Sequence, residues 1–253
     1  EIEAGNKQII LTGAPGTGKT RGVKDYAERQ NAVCKMVQFH PSYDYSDFVE
    51  GIRPVNVGEG ADTKMIYVKL DGQFKKFCRK RVEENIEEFI KENFAVVKVV
   101  LSKSSKTTDE LCKSSKAGIV DKWYELLKNG PSNENETEFL NKITETNNKT
   151  APAFFIIDEV NRADIAKVFG ELMYGLEYRG VENRFDTQYQ NLKTYDVDNG
   201  KYMEDDVFKK GFFVPENVII IGTMNDIDRS VESFDLAMRR RVQWPKVTAN
   251  DVM

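Results

Sequence analysis

The run Gly13-Ala14-Pro15-Gly16-Thr17-Gly18-Lys19-Thr20 matches the spacing G-x-x-x-x-G-K-[ST]. Glycines at this spacing let successive backbone N–H groups converge on phosphate oxygens. A helix beginning where the run ends adds partial positive charge at the same point. In that setting Lys19 reaches the β- and γ-phosphates of a nucleotide, and the Thr20 hydroxyl serves Mg²⁺. A second group closes an apolar run: Phe154-Phe155-Ile156-Ile157 ends in Asp158-Glu159. Asp158 is suited to hold Mg²⁺ through water, and Glu159 to polarise an attacking water. Adjacent acids favour hydrolysis over nucleotide storage. A third group is Asn225, which ends Ile219-Ile220-Ile221-Gly222-Thr223-Met224 and is followed by Asp228 and Arg229. Its amide can donate and accept at once, which suits alignment of a water. Last come Arg239-Arg240-Arg241 at the end of an expected helix. Their ordinary reading is a solvated basic helix terminus. The sharper one is an arginine that enters a neighbouring subunit's site.

These groups need a sheet that brings strand ends together. Short apolar runs at Gln8–Thr12, Met36–Phe39, Ala153–Ile157, Val218–Gly222 and Val242–Trp244 predict strands. They alternate with helical patterns after Thr20, with Val23, Tyr26 and Ala27 on one face. Another lies at Ile165, Val168, Phe169, Leu172, Met173 and Leu176, one apolar face of a single helix. That alternation predicts an α/β fold with a parallel sheet flanked by helices in three layers. Ligands bind at the carboxyl ends of such strands, where both the acid pair and Asn225 fall. Residues 40–54 read as a loop with one helical turn. Ile66–Leu70 reads as a strand followed by a turn at Asp71-Gly72. Phe74, Phe77, Cys78, Val82, Ile86, Phe89 and Ile90 keep helical spacing. Residues 102–118 read as a polar loop, and Ile119–Leu127 and Glu138–Thr146 as helices. Residues 82–150 are treated as a helical insertion, and 181–215 as β-hairpins.

Composition excludes several alternatives. The 253 residues carry 37 Lys+Arg against 41 Asp+Glu, a net charge of −4, so the chain is not a polybasic nucleic-acid module. Any DNA contact is expected through other domains or a partner. No apolar run approaches the roughly 20 residues needed to span a bilayer, and no membrane association is expected. Cys34, Cys78 and Cys112 lack any C-x-x-C spacing, which fits a reducing cytoplasm. With His40 as the single histidine, a multi-histidine metal site is impossible.

The order of phosphate loop, Asp-Glu strand, Asn-ended strand and helix-end arginines resembles the AAA+ ATPases. Closer still, Val37–Tyr43, Tyr45–Gly51, Arg53-Pro54, Asp71-Gly72 with Phe74-Lys75, and Phe77-Cys78 resemble the McrB family. So do Ile157–Arg162, Phe169–Leu172, Met224–Ser230 and Ala237–Arg241. The resemblance implies a P-loop NTPase of the AAA+ type that hydrolyses GTP in a hexameric ring. It also implies an McrC-like endonuclease partner and the restriction of modified DNA. It assigns Asn225 and Asp228 to the hydrolytic site and makes Arg240 and Arg241 candidates to act across the subunit interface.

The resemblance also implies a small helical lid after Trp244 and a DNA-reading domain before Glu1. With the chain running from Glu1 to Met253, one large AAA+ subdomain is expected, its lid largely missing. Guanine preference rests on the resemblance alone. The nearest text to the guanine-reading N-K-x-D is Asn141-Lys142-Ile143-Thr144, which lacks the Asp. ATP is the wider family's usual substrate. Two other readings are a MoxR- or dynein-related ATPase that remodels protein complexes, and a nucleotide-dependent assembly module without turnover. The intact Lys19, Asp158, Glu159 and Asn225 argue against the last.

Overall fold

The inner strands of the sheet are built where β-branched and aromatic residues run together, because a strand covered on both faces has no polar side. The computed structural model describes residues 2, 5–58, 63–225 and 236–248, with the backbone alone at 236 and 237. In chain order its elements are β1 (Gln8–Gly13), α1 (Lys19–Arg29), β2 (Val33–Gln38), α2 (Tyr45–Phe48), β3 (Glu50–Val57), β4 (Lys64–Asp71), α3 (Gln73–Glu92), α4 (Phe94–Val100), α5 (Thr108–Ser114), α6 (Lys116–Asn129), α7 (Glu134–Lys149), β5 (Ala153–Asp158), α8 (Ile165–Phe169), α9 (Leu172–Glu177), β6 (Tyr195–Asp196), β7 (Lys201–Tyr202), β8 (Val218–Asn225) and α10 (Leu236–Arg241). They divide into two compact units, one of residues 1–49, 151–177 and 217–253, the other of 50–150 and 178–216.

The first unit holds a parallel sheet in the order β1-β8-β5-β2. Residues 243–247 run parallel along the outer edge of β1. There Gln243 N donates to Gln8 O at 3.0 Å and Val247 N to Thr12 O at 2.7 Å. The pleat sends alternate residues of β5 to opposite faces. Phe154 and Ile156 pack with Ile219, Ile221, Val23 and Ala27 on the α1 side. Phe155 points the other way, to Phe48 of α2, whose ring also meets Phe169 of α8 at 4.8 Å. The two helical layers around the sheet make the expected three-layer α/β fold.

Five local expectations change. The strand expected at Val242–Trp244 is instead a segment with two isolated bridges to β1, at Gln243 and Lys246. β2 begins at Val33, ahead of the apolar run, because pairing with β5 carries its exposed first half. The helical stripe from Ile165 to Leu176 is two helices, α8 and α9. Gly170 breaks it at φ 50°, where the Tyr45 ring lies 3.2 Å from any added Cβ. Residues 50–54 are not loop: Glu50 opens β3, which pairs antiparallel with β4. Residues 102–118 contain α5, started by a capping box between Thr107 and Glu110.

The second unit combines the β3–β4 hairpin, helices α3 to α7 and the segment 178–216. Buried Phe74, Phe77, Val82, Ile86, Phe89 and Ile90 confirm the spacing read for α3. Residues 119–127 and 138–146 lie inside α6 and α7. The segment 181–215 forms one ladder of two residues per strand, β6–β7, plus a bridge between Phe185 and Phe212. Apart from a 3-10 turn at Val181–Asn183, the rest of it is irregular backbone, held by buried charges. Glu50 accepts from Lys75 Nζ at 2.6 Å and from Tyr189 N at 2.8 Å. Arg79 bridges Asp71 and Asp206 at 2.5 Å each, and Thr194 Oγ1 donates to Asp206 at 2.9 Å. Burial pushes the Asp206 carboxyl up, but Arg79 outweighs it and holds the group down at about 2. Glu50 is likewise lowered, burial being outweighed by Lys75 and then Thr187 and Lys69. Burial lowers the Lys69 ammonium, with Lys75 adding to the effect.

Candidate active site

The phosphate loop leaves β1 and enters α1 through Gly16 and Gly18, both at φ 77°, a conformation that residues with a Cβ rarely adopt. Gly18 is the N-cap of α1; no side chain caps the helix, and its first turn carries no acid. Helices α2, α5, α7 and α8 instead begin with Asp44, Thr107, Asn133 and Asp164 accepting from their first-turn amides. The amides of α1 thus meet no anionic side chain of their own helix, the arrangement a phosphate needs.

Lys19 is 7% exposed. Its Nζ donates to Gly13 O at 2.9 Å, Ala14 O at 2.8 Å, Asn225 Oδ1 at 3.1 Å and Thr17 Oγ1 at 3.4 Å. All four acceptors are neutral. Asn225 continues the chain of contacts: its Nδ2 donates to Glu159 Oε1 at 3.0 Å. The amide therefore turns its oxygen to the cation and its nitrogen to the carboxylate, as charge demands. Glu159 sits in the left-handed region, φ 53° and ψ 48°, just past the end of β5. That backbone turn separates its side chain from the direction of the strand. Arg162 Nε lies 3.4 Å from its other oxygen.

The neighbouring carboxylate has different company. Asp158 Oδ1 accepts from Thr20 Oγ1 at 2.8 Å and from Thr223 Oγ1 at 2.6 Å. One hydroxyl and one carboxylate form a hard-oxygen donor set. It fits Mg²⁺, which keeps several waters and takes few protein ligands. Thr20 and Asp158, the two residues expected to serve the metal, are thus in contact.

The structure brings Lys19, Thr20, Asp158, Glu159 and Asn225 together at the carboxyl edge of the sheet. Asp228 lies outside the described residues. Arg240 and Arg241 end α10 but differ. Arg241 donates from Nε to Glu177 Oε2 at 2.9 Å, and its NH2 lies 2.8 Å from the same oxygen. Arg240 is exposed and has no ion-pair partner among the described residues. Sequence reading passed over Thr223 and Arg162. Thr223 owes its place to the register that sets Ile157 beside Gly222, and hence Asp158 near Thr223. A pairing register of this kind has no trace in either strand alone.

A parallel sheet with this loop, acid pair and Asn-ended strand defines a P-loop NTPase domain. Residues 8–242 match the AAA domain of the dynein-related subfamily, and the chain belongs to that family. Within it the chain is McrB-like. It is 30% identical over 243 residues to the type IV methyl-directed restriction enzyme EcoKMcrB subunit of Escherichia coli strain K12, covering 94% of this chain and 34% of that protein. It is 27% identical over 245 residues to the type II restriction enzyme BsuMI component YdiS of Bacillus subtilis strain 168, covering 92% of this chain and 54% of that protein. The chain therefore spans about a third to a half of the length of these relatives. No helix among the described residues is long and apolar enough to cross a membrane.

Proposed function

We propose that the chain is the nucleotide-hydrolysing motor domain of a restriction system for modified DNA, using GTP and working as a hexameric ring with an McrC-like endonuclease in the cytoplasm. The continuous contact chain Lys19–Asn225–Glu159 beside Thr20–Asp158 carries the hydrolase part of this reading. Lys19 exchanges its neutral oxygens for phosphate oxygens, and the loop and α1 amides take the rest of the phosphate charge. Glu159 accepts the proton of the attacking water, and Asn225 and Asp228 align that water. Thr20 and Asp158 would hold Mg²⁺, which would supply charge neutralisation across the phosphates. Exposed Arg240, more readily than paired Arg241, serves a neighbouring subunit. DNA is read by other domains or by the partner.

The restriction role is supported by the names of the two relatives, and GTP by the McrB resemblance alone. The subfamily match supports an ATP-driven remodelling subunit as the second reading. Turnover of GTP and ATP, each with Mg²⁺, separates them. Lys19→Ala should abolish binding of the preferred nucleotide in calorimetry, and unchanged affinity would remove the phosphate-loop assignment.

A further inference from the structure

We infer that Thr223 is a positioning residue, whose hydroxyl locks the Asp158 carboxylate in the orientation that Mg²⁺ binding requires. The inference rests on the nucleotide-hydrolase reading and goes beyond it to a residue of the third strand. A carboxylate held by one hydrogen bond can still turn about its Cβ–Cγ axis. Asp158 is held by two, both on Oδ1 and from two different elements: Thr20 at the start of α1 and Thr223 inside β8. Together they satisfy both lone pairs of that oxygen.

The two donors are not equivalent. Thr20 is half-buried and lies in the first turn of α1, next to the phosphate loop. Thr223 is 2% exposed, and its strand is paired with both β1 and β5. Its 2.6 Å contact has the length of a hydroxyl donating to an ionised carboxylate. The Thr223 hydroxyl is therefore the fixed reference for Asp158, and the Thr20 hydroxyl the one shared with the ligand. With its proton committed to Asp158, the Thr20 oxygen keeps its lone pairs for a cation. Two residues further along the same strand, Asn225 holds Glu159. Residues 223 and 225 share one face of β8, so a single strand face orients the metal-side acid and the water-side acid together.

The experiment measures affinity for a slowly hydrolysed GTP analogue, and for its ATP counterpart, by calorimetry. Each is titrated once with Mg²⁺ and once in EDTA. The ratio of the two affinities is the readout; it is normalised to folded protein, so a partial folding defect does not change it. Thr223→Val keeps the side-chain volume and removes the donor. It should cut the Mg²⁺ enhancement by about tenfold to a hundredfold, the usual effect of losing a group that orients a metal-binding residue. The EDTA affinity should stay at the wild-type value. Thr223→Ala should behave like Thr223→Val, and Thr223→Ser should restore most of the enhancement. A wild-type enhancement in both Thr223→Val and Thr223→Ala, with loss in Thr20→Ala, overturns the inference and makes Thr223 a packing residue. Failure of the wild-type protein to bind either analogue defeats the hydrolase reading itself.

Discussion

Lys19 in the first unit and Lys75 in the second are both buried, at 7% and 1% exposure. Their surroundings differ in kind. Lys75 lies 2.6 Å from the Glu50 carboxylate, donates to Thr187 and sits 5.3 Å from the centre of the Phe212 ring. Lys19 touches two carbonyls, a hydroxyl and an amide, and among the described residues no carboxylate. Burying a charge is costly unless an opposite charge accompanies it. The second unit meets that demand internally and gains a fixed arrangement for an irregular segment. The first leaves it open, which is what the proposed phosphate site requires. The contrast separates a cation kept for a ligand under that proposal from one that serves the fold.

The largest effects should fall on turnover in the first unit. Arg240→Ala should lower it by about 10³-fold or more while nucleotide affinity holds, the size seen for arginines that meet transition-state charge. Glu159→Gln should lower it by about 10²–10⁴-fold, the usual worth of a general base. Steady-state hydrolysis beside equilibrium binding measures both. If Glu159→Gln turns over at the wild-type rate, another group aligns the water. Mixing Arg240→Ala chains with Lys19→Ala chains tests whether Arg240 acts between subunits, because some mixed interfaces join an intact loop to an intact arginine. Rings that form yet stay inactive would return Arg240 to a solvated helix end.

In the second unit the same kind of change should act on folding. Glu50→Gln leaves Lys69 and Lys75 buried without their shared carboxylate, a loss of about 3–5 kcal/mol in urea unfolding. Acid should expose the same dependence. The folded Asp206 carboxyl titrates at about 2, below its ordinary value of 3.8. A group whose folded value is lowered contributes stability above its unfolded value and loses it as pH falls through the folded one. Stability should therefore drop between pH 4 and 2 by on the order of 2 kcal/mol from this group. Asp206→Asn should flatten that part of the profile. An unchanged profile would mean that Arg79 does not hold Asp206 in solution.

What could be read in advance followed from local rules. The loop, the Asp-Glu strand end and the Asn-ended strand are contiguous text, and each carries its own chemistry. Phe74 through Ile90 announce α3 because one helix face is buried along its length. Other features depend on partners far away in the chain. α5 buries Leu111 alone and owes its start to the Thr107–Glu110 box, so a polar composition hid it. Gly170 splits a regular apolar stripe because the Tyr45 ring occupies the space beside it. Charged Glu50, Lys75 and Arg79 sit in helical or strand text that gives no sign of their burial. Their partners Thr187, Tyr189 and Asp206 lie more than a hundred residues later.

The smallest effect should be that of Arg241→Ala, and it bears directly on which arginine crosses to a neighbour. Arg241 and Glu177 are 22% and 44% exposed at their side chains, so water screens the pair. Both contacts fall on a single carboxylate oxygen, which forgoes the two-oxygen fork that makes arginine pairs strong. Such pairs contribute about 0.2–1 kcal/mol. A double-mutant cycle with Glu177→Ala should give a coupling in that range, falling as salt is raised. An arginine already committed to Glu177 must break that pair to reach another subunit, whereas Arg240 starts free of any such pair among the described residues. Turnover should accordingly fall much less in Arg241→Ala than in Arg240→Ala, and Glu177→Ala should leave it near wild type. The opposite pattern, with Arg241→Ala inactive, Arg240→Ala active and Glu177→Ala more active than wild type, would make Glu177 a holder that releases Arg241 on assembly. Arg241 would then be the residue that crosses the interface.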